Sequence, residues 1–120
     1  MISILLIDDD NFQHVIFDHI LKSCIGDGYA LECTSSLESA LAVLEATRFD
    51  AIFLDNRLTP FKDFRETFPG ISAVAGGAVT YLISSEIEDP CFREAADYGI
   101  AKVIDKFELK NEVSGGLLDR

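Results

Sequence analysis

Polar side chains stand where four short apolar runs of the sequence end. They are the adjacent acids Asp8 and Asp9, the acid Asp55, the hydroxyl of Ser84 and the amine of Lys106. Carboxylate oxygens are ligands that Mg²⁺ prefers in proteins, and an aspartate can act as a nucleophile that forms an acyl phosphate. A hydroxyl and an ammonium can both bind phosphoryl oxygens. Together, these residue types indicate chemistry on a phosphoryl group assisted by a divalent cation.

Each of these residues has a predicted task in such chemistry. Asp55 is the predicted phospho-acceptor, because it follows a buried apolar run and stands apart from other acids in the sequence. Asp9 and Asp55 are predicted to bind Mg²⁺ directly, while Asp8 acts through a metal-bound water. Without a cation, the three acids would repel one another and hold their protons more tightly. Lys106 and Ser84 are predicted to bind oxygens of the transferred group.

The same residues belong to a repeating pattern of short apolar runs and amphipathic segments. The runs predict five strands, at residues 4–7, 29–33, 51–55, 79–84 and 101–105. Three runs lack polar alternation, which is typical of strands covered on both faces. Connections of helix length favour parallel neighbours and right-handed crossovers. We therefore expect an α/β fold, a doubly wound five-stranded parallel sheet in a three-layer sandwich, whose carboxyl strand ends meet at one edge.

Capping residues and glycines mark where the helices begin and end. The first predicted helix carries Phe12, Val15, Ile16 and Ile20 at helical spacing, with Phe17, Leu21 and Cys24 beside them, and it ends at Gly26. The second has a cap at Ser35 or Ser36, and a later one starts at Asp89 and Pro90 and stops at Gly99. The last carries Leu109, Val113 and Leu117, which repeat every four residues. The last helix is predicted to fray, because a glycine pair interrupts it. In residues 59–77, which two prolines break, only the stretch from Phe64 to Ala75 is expected to be helical.

Composition limits the partners and the compartment. Ten Lys and Arg against 21 Asp and Glu give a net charge of −11, which argues against direct binding to nucleic acid or an anionic membrane. The longest apolar runs are far shorter than the roughly 20 residues that cross a bilayer. Cys24, Cys33 and Cys91 share no CxxC spacing, and the opening MISILLIDD does not resemble a secretory leader. We therefore expect a cytoplasmic protein, with one domain over residues 1–120.

The runs ILLIDD, AIFLDNRL, YLISS and VIDK, in this order, resemble the motifs of the receiver domain of two-component response regulators, the family of the chemotaxis regulator. The resemblance covers essentially the whole chain. It implies a flavodoxin-like fold of receiver type, which takes a phosphoryl group onto Asp55 from a histidine kinase or a histidine phosphotransfer protein. It also implies that Asp8 and Asp9 bind Mg²⁺, that Arg57 adds its backbone carbonyl, that Ser84 is the switch hydroxyl and that Lys106 senses the phosphoryl group.

By the same resemblance, the protein is expected to be a signalling module and not a turnover enzyme. With no effector domain, its output would be contact with a downstream protein. The surface formed by the fourth helix, the fifth strand and the last helix is predicted to make this contact or to form a homodimer. Phe92 and Leu117 are the predicted contact residues on that surface.

Three positions depart from the family's pattern. Val103 stands where most receivers have an aromatic residue, Thr59 displaces the usual proline to Pro60, and Phe107 replaces a proline after the lysine. These departures support a second hypothesis, in which the chain is a degenerate receiver that docks to its partner independently of phosphorylation.

A third hypothesis is a small Mg²⁺-dependent aspartyl-phosphate phosphohydrolase of the haloacid-dehalogenase type. Asp8 and Asp10 have the spacing of its two acids, but Phe12 stands where such enzymes normally have Thr or Val. The acids before the first helix also suit helix capping, for which Asp10 or Asn11 is the better candidate. His14 is interpreted as a helix-face residue, because no third ligand is spaced to join it and His19 around a metal.

Overall fold

A computed structural model describes residues 1–119, so that Arg120, the last residue of the predicted domain, lies outside the described residues. The strands are β1 (Ile2–Ile7), β2 (Tyr29–Thr34), β3 (Ala51–Asp55), β4 (Val79–Ser84) and β5 (Lys102–Asp105). The helices are α1 (Asn11–Ile25), α2 (Leu37–Ala46), α3 (Phe64–Val74), α4 (Ala95–Tyr98) and α5 (Leu109–Ser114), and 3₁₀ helices precede α4 (Pro90–Glu94) and α5 (Lys106–Glu108). The five predicted strands are confirmed.

The strands form one parallel sheet in the order β2-β1-β3-β4-β5. The chain moves outward from β1 to β2, then returns to the other side of β1 for β3, so the strand order reverses between β1 and β3. The register pairs Ile7 with Leu54 and Ser84 with Asp105. This alignment sets the carboxyl ends of the strands side by side and confirms the predicted doubly wound α/β fold.

Two separate hydrophobic cores lie on the two faces of the sheet. The α2–α4 core includes Leu5 and Ile7 and is covered by α2, α3 and α4. The α1–α5 core includes Ile4 and Leu6 and is covered by α1 and α5. Successive residues of β1 alternate between the cores because strand side chains point to opposite faces. All five residues of β3 are buried, as its unbroken apolar run predicts.

The first helix turns a different face to the core from the one its sequence suggests. Its extent agrees with the prediction, and Asp10 is its N-cap. However, Phe12, Val15 and Ile16 are exposed, with 79% and 69% of the surface of Phe12 and Val15 accessible. Of the predicted face, Ile20 is buried, and Phe17 and Leu21 are buried beside it. The apolar residues of α1 are spread around more of the helix than one face, and those buried in the α1–α5 core are at positions 17, 20 and 21.

The helices on the other side of the sheet and at the C-terminus also differ in detail from prediction. Pro69 lies inside α3, although it removes a backbone hydrogen bond there. The buried side chains of Phe68 and Ile71 on either side of it hold this segment against the α2–α4 core. The predicted fourth helix begins as a 3₁₀ helix, so that α4 itself has only four residues. Leu117 lies beyond α5, which ends before the glycine pair.

The helices are short compared with a membrane-spanning helix, which needs roughly 20 apolar residues. The longest helix, α1, has 15 residues. Among residues 1–119, no helix is both long enough and apolar enough to cross a bilayer.

We expect Phe17→Ala to lower the free energy of unfolding by about 3–5 kcal/mol, because it opens a cavity against Phe53. The two rings lie 4.8 Å apart between centroids. Phe12→Ala, a matched change in the same helix, is expected to shift it by less than about 0.5 kcal/mol. Urea titrations followed by circular dichroism measure both values. Equal losses in the two variants would contradict the packing of α1.

Candidate functional site

A cleft of about 280 Å³ opens at the carboxyl edge of the sheet. It is lined by all six residues predicted for the site: Asp8, Asp9, Asp55, Arg57, Ser84 and Lys106. They come from the ends of β1, β3, β4 and β5 or from the residues that directly follow. The structure therefore brings together residues that lie almost 100 positions apart in the sequence.

Three carboxylates and one ammonium form the centre of this cleft. Asp8, Asp9 and Asp55 each offer an oxygen within 4.8 Å of the others. The Nζ atom of Lys106 lies 3.0 Å from Oδ2 of Asp8 and 3.4 Å from Oδ1 of Asp55. Asp8 is fully buried, and only 6% of the surface of Asp55 is accessible. One ammonium thus faces more negative charge than it can neutralise.

Burial is the largest influence on the ionisation of Asp55. It raises the pKa of Asp55 to about 6, and the neighbouring charge of Asp8 adds to the increase, while Lys106 and the backbone N–H of Arg57 oppose it. Burial lowers the pKa of Lys106, but the charges of Asp55 and Asp8 outweigh this effect and leave that pKa above its ordinary value. Lys106 therefore stays charged at neutral pH. For Asp55, the cleft disfavours the ionised form.

Thr59, in the loop after β3, holds the more exposed acid Asp9. Its backbone N–H and its Oγ1 hydroxyl both donate to Oδ2 of Asp9, at 3.0 and 2.5 Å. Partial burial raises the pKa of Asp9, but the two hydrogen bonds from Thr59 outweigh burial, so the pKa lies below its ordinary value. The sequence showed Thr59 only as a departure from a family pattern and did not reveal this contact.

The start of α1 positions Asp8. Asp10 accepts the backbone N–H of Phe12 at 2.9 Å as the helix cap, which confirms the preferred capping candidate and leaves Asp8 and Asp9 for the cleft. Oδ1 of Asp8 accepts the backbone N–H of Asp10 at 2.9 Å. Nε2 of His14 donates to the backbone carbonyl of Asp8 at 2.7 Å. The sequence prediction left His14 outside the site, although its place one turn into α1 puts it within reach of the end of β1.

Asn56 is a second residue that sequence reasoning missed. It directly follows Asp55 and is buried. Its Oδ1 accepts the backbone N–H of Phe64 at the start of α3, at 3.1 Å, and its Nδ2 donates to Sγ of Cys91 at 3.9 Å. These bonds fix the exit of β3 against α3 and the 3₁₀ helix before α4. The signal available in the sequence was an amide residue directly after the predicted acceptor acid.

The side chains of Arg57 and Ser84 bond to the loop after β4. The guanidinium of Arg57 pairs with Glu86 at 3.3 Å and with Asp89 at 3.6 Å. Its backbone N–H lies 3.4 Å from Oδ1 of Asp55. The Oγ atom of Ser84 accepts the backbone N–H of Glu86 at 3.0 Å, so its own proton remains available to another acceptor.

The donor set fits a hard divalent cation. Mg²⁺ binds carboxylate oxygens and retains water ligands, and Asp8, Asp9 and Asp55 present three such groups together. These carboxylates face a single ammonium, that of Lys106, and the charge of Asp8 adds to the effect of burial in raising the pKa of Asp55. A cation between the carboxylates would relieve that excess.

Comparison with known proteins bears on the fold. No protein-family model matches the chain, and no curated protein matches it. Its neighbours among solved structures are mostly receiver domains of response regulators. The chain has the receiver fold. At 18–22% sequence identity, the receiver fold itself is what this likeness establishes.

Three of these neighbours span nearly the whole chain. A LuxR family DNA-binding response regulator from Silicibacter pomeroyi is 22% identical with a TM-score of 0.80, over 98% of this chain and 88% of its own. A response regulator from Burkholderia pseudomallei, with a phosphorylated aspartic acid, a calcium ion and citrate, is 18% identical with a TM-score of 0.78, over 99% and 68%. The receiver domain of a sensor histidine kinase from Pseudomonas aeruginosa, with magnesium in its active site cleft, is 21% identical with a TM-score of 0.73, over 95% of both.

We expect Asp55→Asn to stabilise the protein at pH 7 by about 1–2 kcal/mol, and to give no gain below about pH 4. The pKa of Asp55 rises from 3.8 to about 6 on folding. Between these values the unfolded chain has lost a proton that the folded protein keeps, so stability falls as pH rises through this window. Urea denaturation at several pH values measures the difference.

Asp97→Asn removes an acid that lies on the surface of α4 and is the control for the change in net charge. A gain from Asp55→Asn that stayed constant from pH 4 to pH 7 would contradict the electrostatic account of the cleft.

Proposed function

We propose that this protein is a phospho-acceptor signalling module of a two-component system or phosphorelay, with Asp55 as the phosphorylated residue. The observation that carries the proposal is the setting of Asp55. Its buried carboxylate ends the central strand β3 at the cleft, 3.4 Å from the ammonium of Lys106 and beside Asp8 and Asp9. This is an arrangement in which a carboxylate can accept a phosphoryl group and in which neighbouring charges can hold that group.

The proposed reaction is phosphoryl transfer from a phosphohistidine of the donor protein. An oxygen of Asp55 forms the new bond to phosphorus while the bond from phosphorus to the histidine nitrogen breaks, and that nitrogen keeps the electron pair. Transfer replaces a buried carboxylate by a neutral acyl group that bears a phosphoryl group in the more open part of the cleft. Lys106 pairs with one phosphoryl oxygen as a point charge, and the hydroxyl of Ser84 donates to another.

We propose that Asp8, Asp9 and Asp55 hold Mg²⁺, with the backbone carbonyl of Arg57 as a further oxygen ligand. When bound, the ion supplies positive charge that stabilises the transferring phosphoryl oxygens. The hydrogen bond from His14 and the ion pair with Lys106 keep Asp8 in place for this task.

The exposed apolar face of α1 is our candidate for the donor's docking surface. Phe12, Val15 and Ile16 lie along this face, and Phe107 is 82% accessible. Phe12 follows the cleft residue Asp10 by two positions, and Phe107 directly follows Lys106. Apolar side chains therefore flank the cleft from which the phosphoryl group must be received, where a donor protein can bury them.

For output, we propose that phosphorylation shifts the protein between two conformations with different affinity for a downstream protein. The surface of α4, β5 and α5 remains our candidate for that contact or for a homodimer. The predicted contact residues border this surface, with Phe92 in the 3₁₀ helix before α4 and Leu117 just beyond α5. Both are half-buried and pack against the two cores, and Phe92 stacks on Phe64 with a 6.3 Å centroid separation. Contact through these residues would therefore require a local rearrangement.

The geometry supports a phosphohydrolase less well. In that reading Asp8 is the nucleophile and Asp10 the second acid, but Asp10 caps α1 and Asp8 pairs with Lys106 deep in the cleft. The degenerate docking module has the same fold but would bind its partner without phosphorylation. Partner capture with and without beryllofluoride distinguishes it from our proposal.

We expect acetyl phosphate and Mg²⁺ to add one phosphoryl group to the protein, observable by intact mass, and beryllofluoride to shift the amide signals around the cleft. Asp55→Asn should abolish both responses, and Asp97→Asn should preserve them. An adduct that survives Asp55→Asn would reject Asp55 as the acceptor. Equal capture of a partner with and without beryllofluoride would favour the docking module.

We expect Val15→Glu to slow phosphotransfer from the cognate histidine kinase, found by screening candidates, by roughly tenfold or more, because it places a charge in an apolar contact. Labelling by acetyl phosphate should not change, since that small donor needs no docking surface. Val79→Glu introduces the same charge at a half-exposed valine at the opposite edge of the sheet and should leave both rates unchanged. If Val15→Glu slowed neither reaction, α1 would not be the docking surface.

A further inference from the structure

The carboxylate of Asp9 is held in an asymmetric way. Both donors of Thr59, its backbone N–H and its Oγ1 hydroxyl, bind the same oxygen, Oδ2. A carboxylate oxygen has two lone pairs for such contacts. With both lone pairs occupied, Oδ2 has none left for a cation, and Asp9 can offer only Oδ1.

We infer that Thr59 is a positioning residue that makes the cation site select Mg²⁺ over Ca²⁺. Ca²⁺ takes six to eight oxygen ligands and accepts both oxygens of a carboxylate, whereas Mg²⁺ requires near-octahedral geometry and keeps several waters. A carboxylate restricted to one oxygen suits Mg²⁺ and deprives Ca²⁺ of a ligand. This inference rests on the cation site of the proposed function and adds to it the choice of ion.

Protein donors also occupy carboxylate oxygens of the other two acids, Asp8 and Asp55. Oδ1 of Asp8 accepts the backbone N–H of Asp10, and its Oδ2 pairs with Lys106. Oδ1 of Asp55 faces both Lys106 and the backbone N–H of Arg57. Protein donors therefore compete for at least one oxygen of each carboxylate in the cluster.

Thr59 is the member of this arrangement that can be changed without disturbing the core. It is exposed, and its neighbour Leu58 is fully buried in the α2–α4 core. The backbone N–H of Phe61 donates to the carbonyl of Leu58 at 2.8 Å, which closes the loop around Thr59. Thr59→Val preserves the shape of the side chain and removes only the hydroxyl, while Thr59→Ser retains the hydroxyl.

The test is isothermal titration of the unmodified protein with MgCl₂ and, separately, with CaCl₂, for wild type, Thr59→Val and Thr59→Ser. In Thr59→Val, Oδ2 regains a lone pair for the cation. We expect the ratio of the Ca²⁺ Kd to the Mg²⁺ Kd to fall by roughly three- to tenfold, the range that one hydrogen bond supports. Thr59→Ser should keep the wild-type ratio.

The ratio separates selectivity from a general loss of binding. If Thr59→Val weakened both ions equally, or left both affinities unchanged, the inference would be wrong and the cation site would stand. A Thr59→Ser protein that behaved like Thr59→Val would also overturn it, because the hydroxyl would not be the cause. Wild-type protein that bound neither ion would refute the cation site itself, and with it the Mg²⁺ requirement of the proposed function.

Discussion

The ammonium of Lys106 lies between two buried carboxylates, and the carboxyl edge of the sheet is organised around this contact. Asp8 and Asp55 end neighbouring strands, so the parallel register that packs the core also brings their like charges together. Such a pair is costly in a place that excludes water, and Lys106 offsets part of the cost from the end of β5. The remaining negative charge makes the cleft attractive to cations.

The sheet also restricts where this chemistry can occur. Every residue of β3 is buried, so a polar group within the strand would lack water on both faces. Asp55 is the last residue of the strand, where its carboxylate can reach the cleft, and the residues after the strands supply the groups around it. Asn56 and Thr59 both lie within four residues of Asp55. Thr59 holds the side chain of Asp9, and Asn56 holds the start of α3.

Much of the architecture followed from the sequence, because strand runs and capping residues are local signals. The run at 51–55 matched β3 at both ends, and Ser36, Asp89 and Asp10 cap the segments that they were predicted to cap. Convergence of the site residues followed from the parallel sheet alone. The exposed face of α1 could not be predicted, because Phe12 and Phe17 are equally apolar and only the position of the sheet distinguishes them. The contacts of His14, Asn56 and Thr59 depend on loop paths that residue spacing does not encode.

The division of the interior into two cores has a consequence for how the sequence can vary. No side chain of the α1–α5 core belongs to the α2–α4 core among the described residues, and the sheet backbone lies between them. Destabilising changes on opposite sides should therefore combine additively, as they do for distant sites without shared partners. A destabilising substitution in one core can therefore be compensated by a second substitution in the same core, while the residues of the other core stay unchanged. Strands β1, β3 and β4 contribute buried residues to both cores, so changes in these strands affect the two sides together.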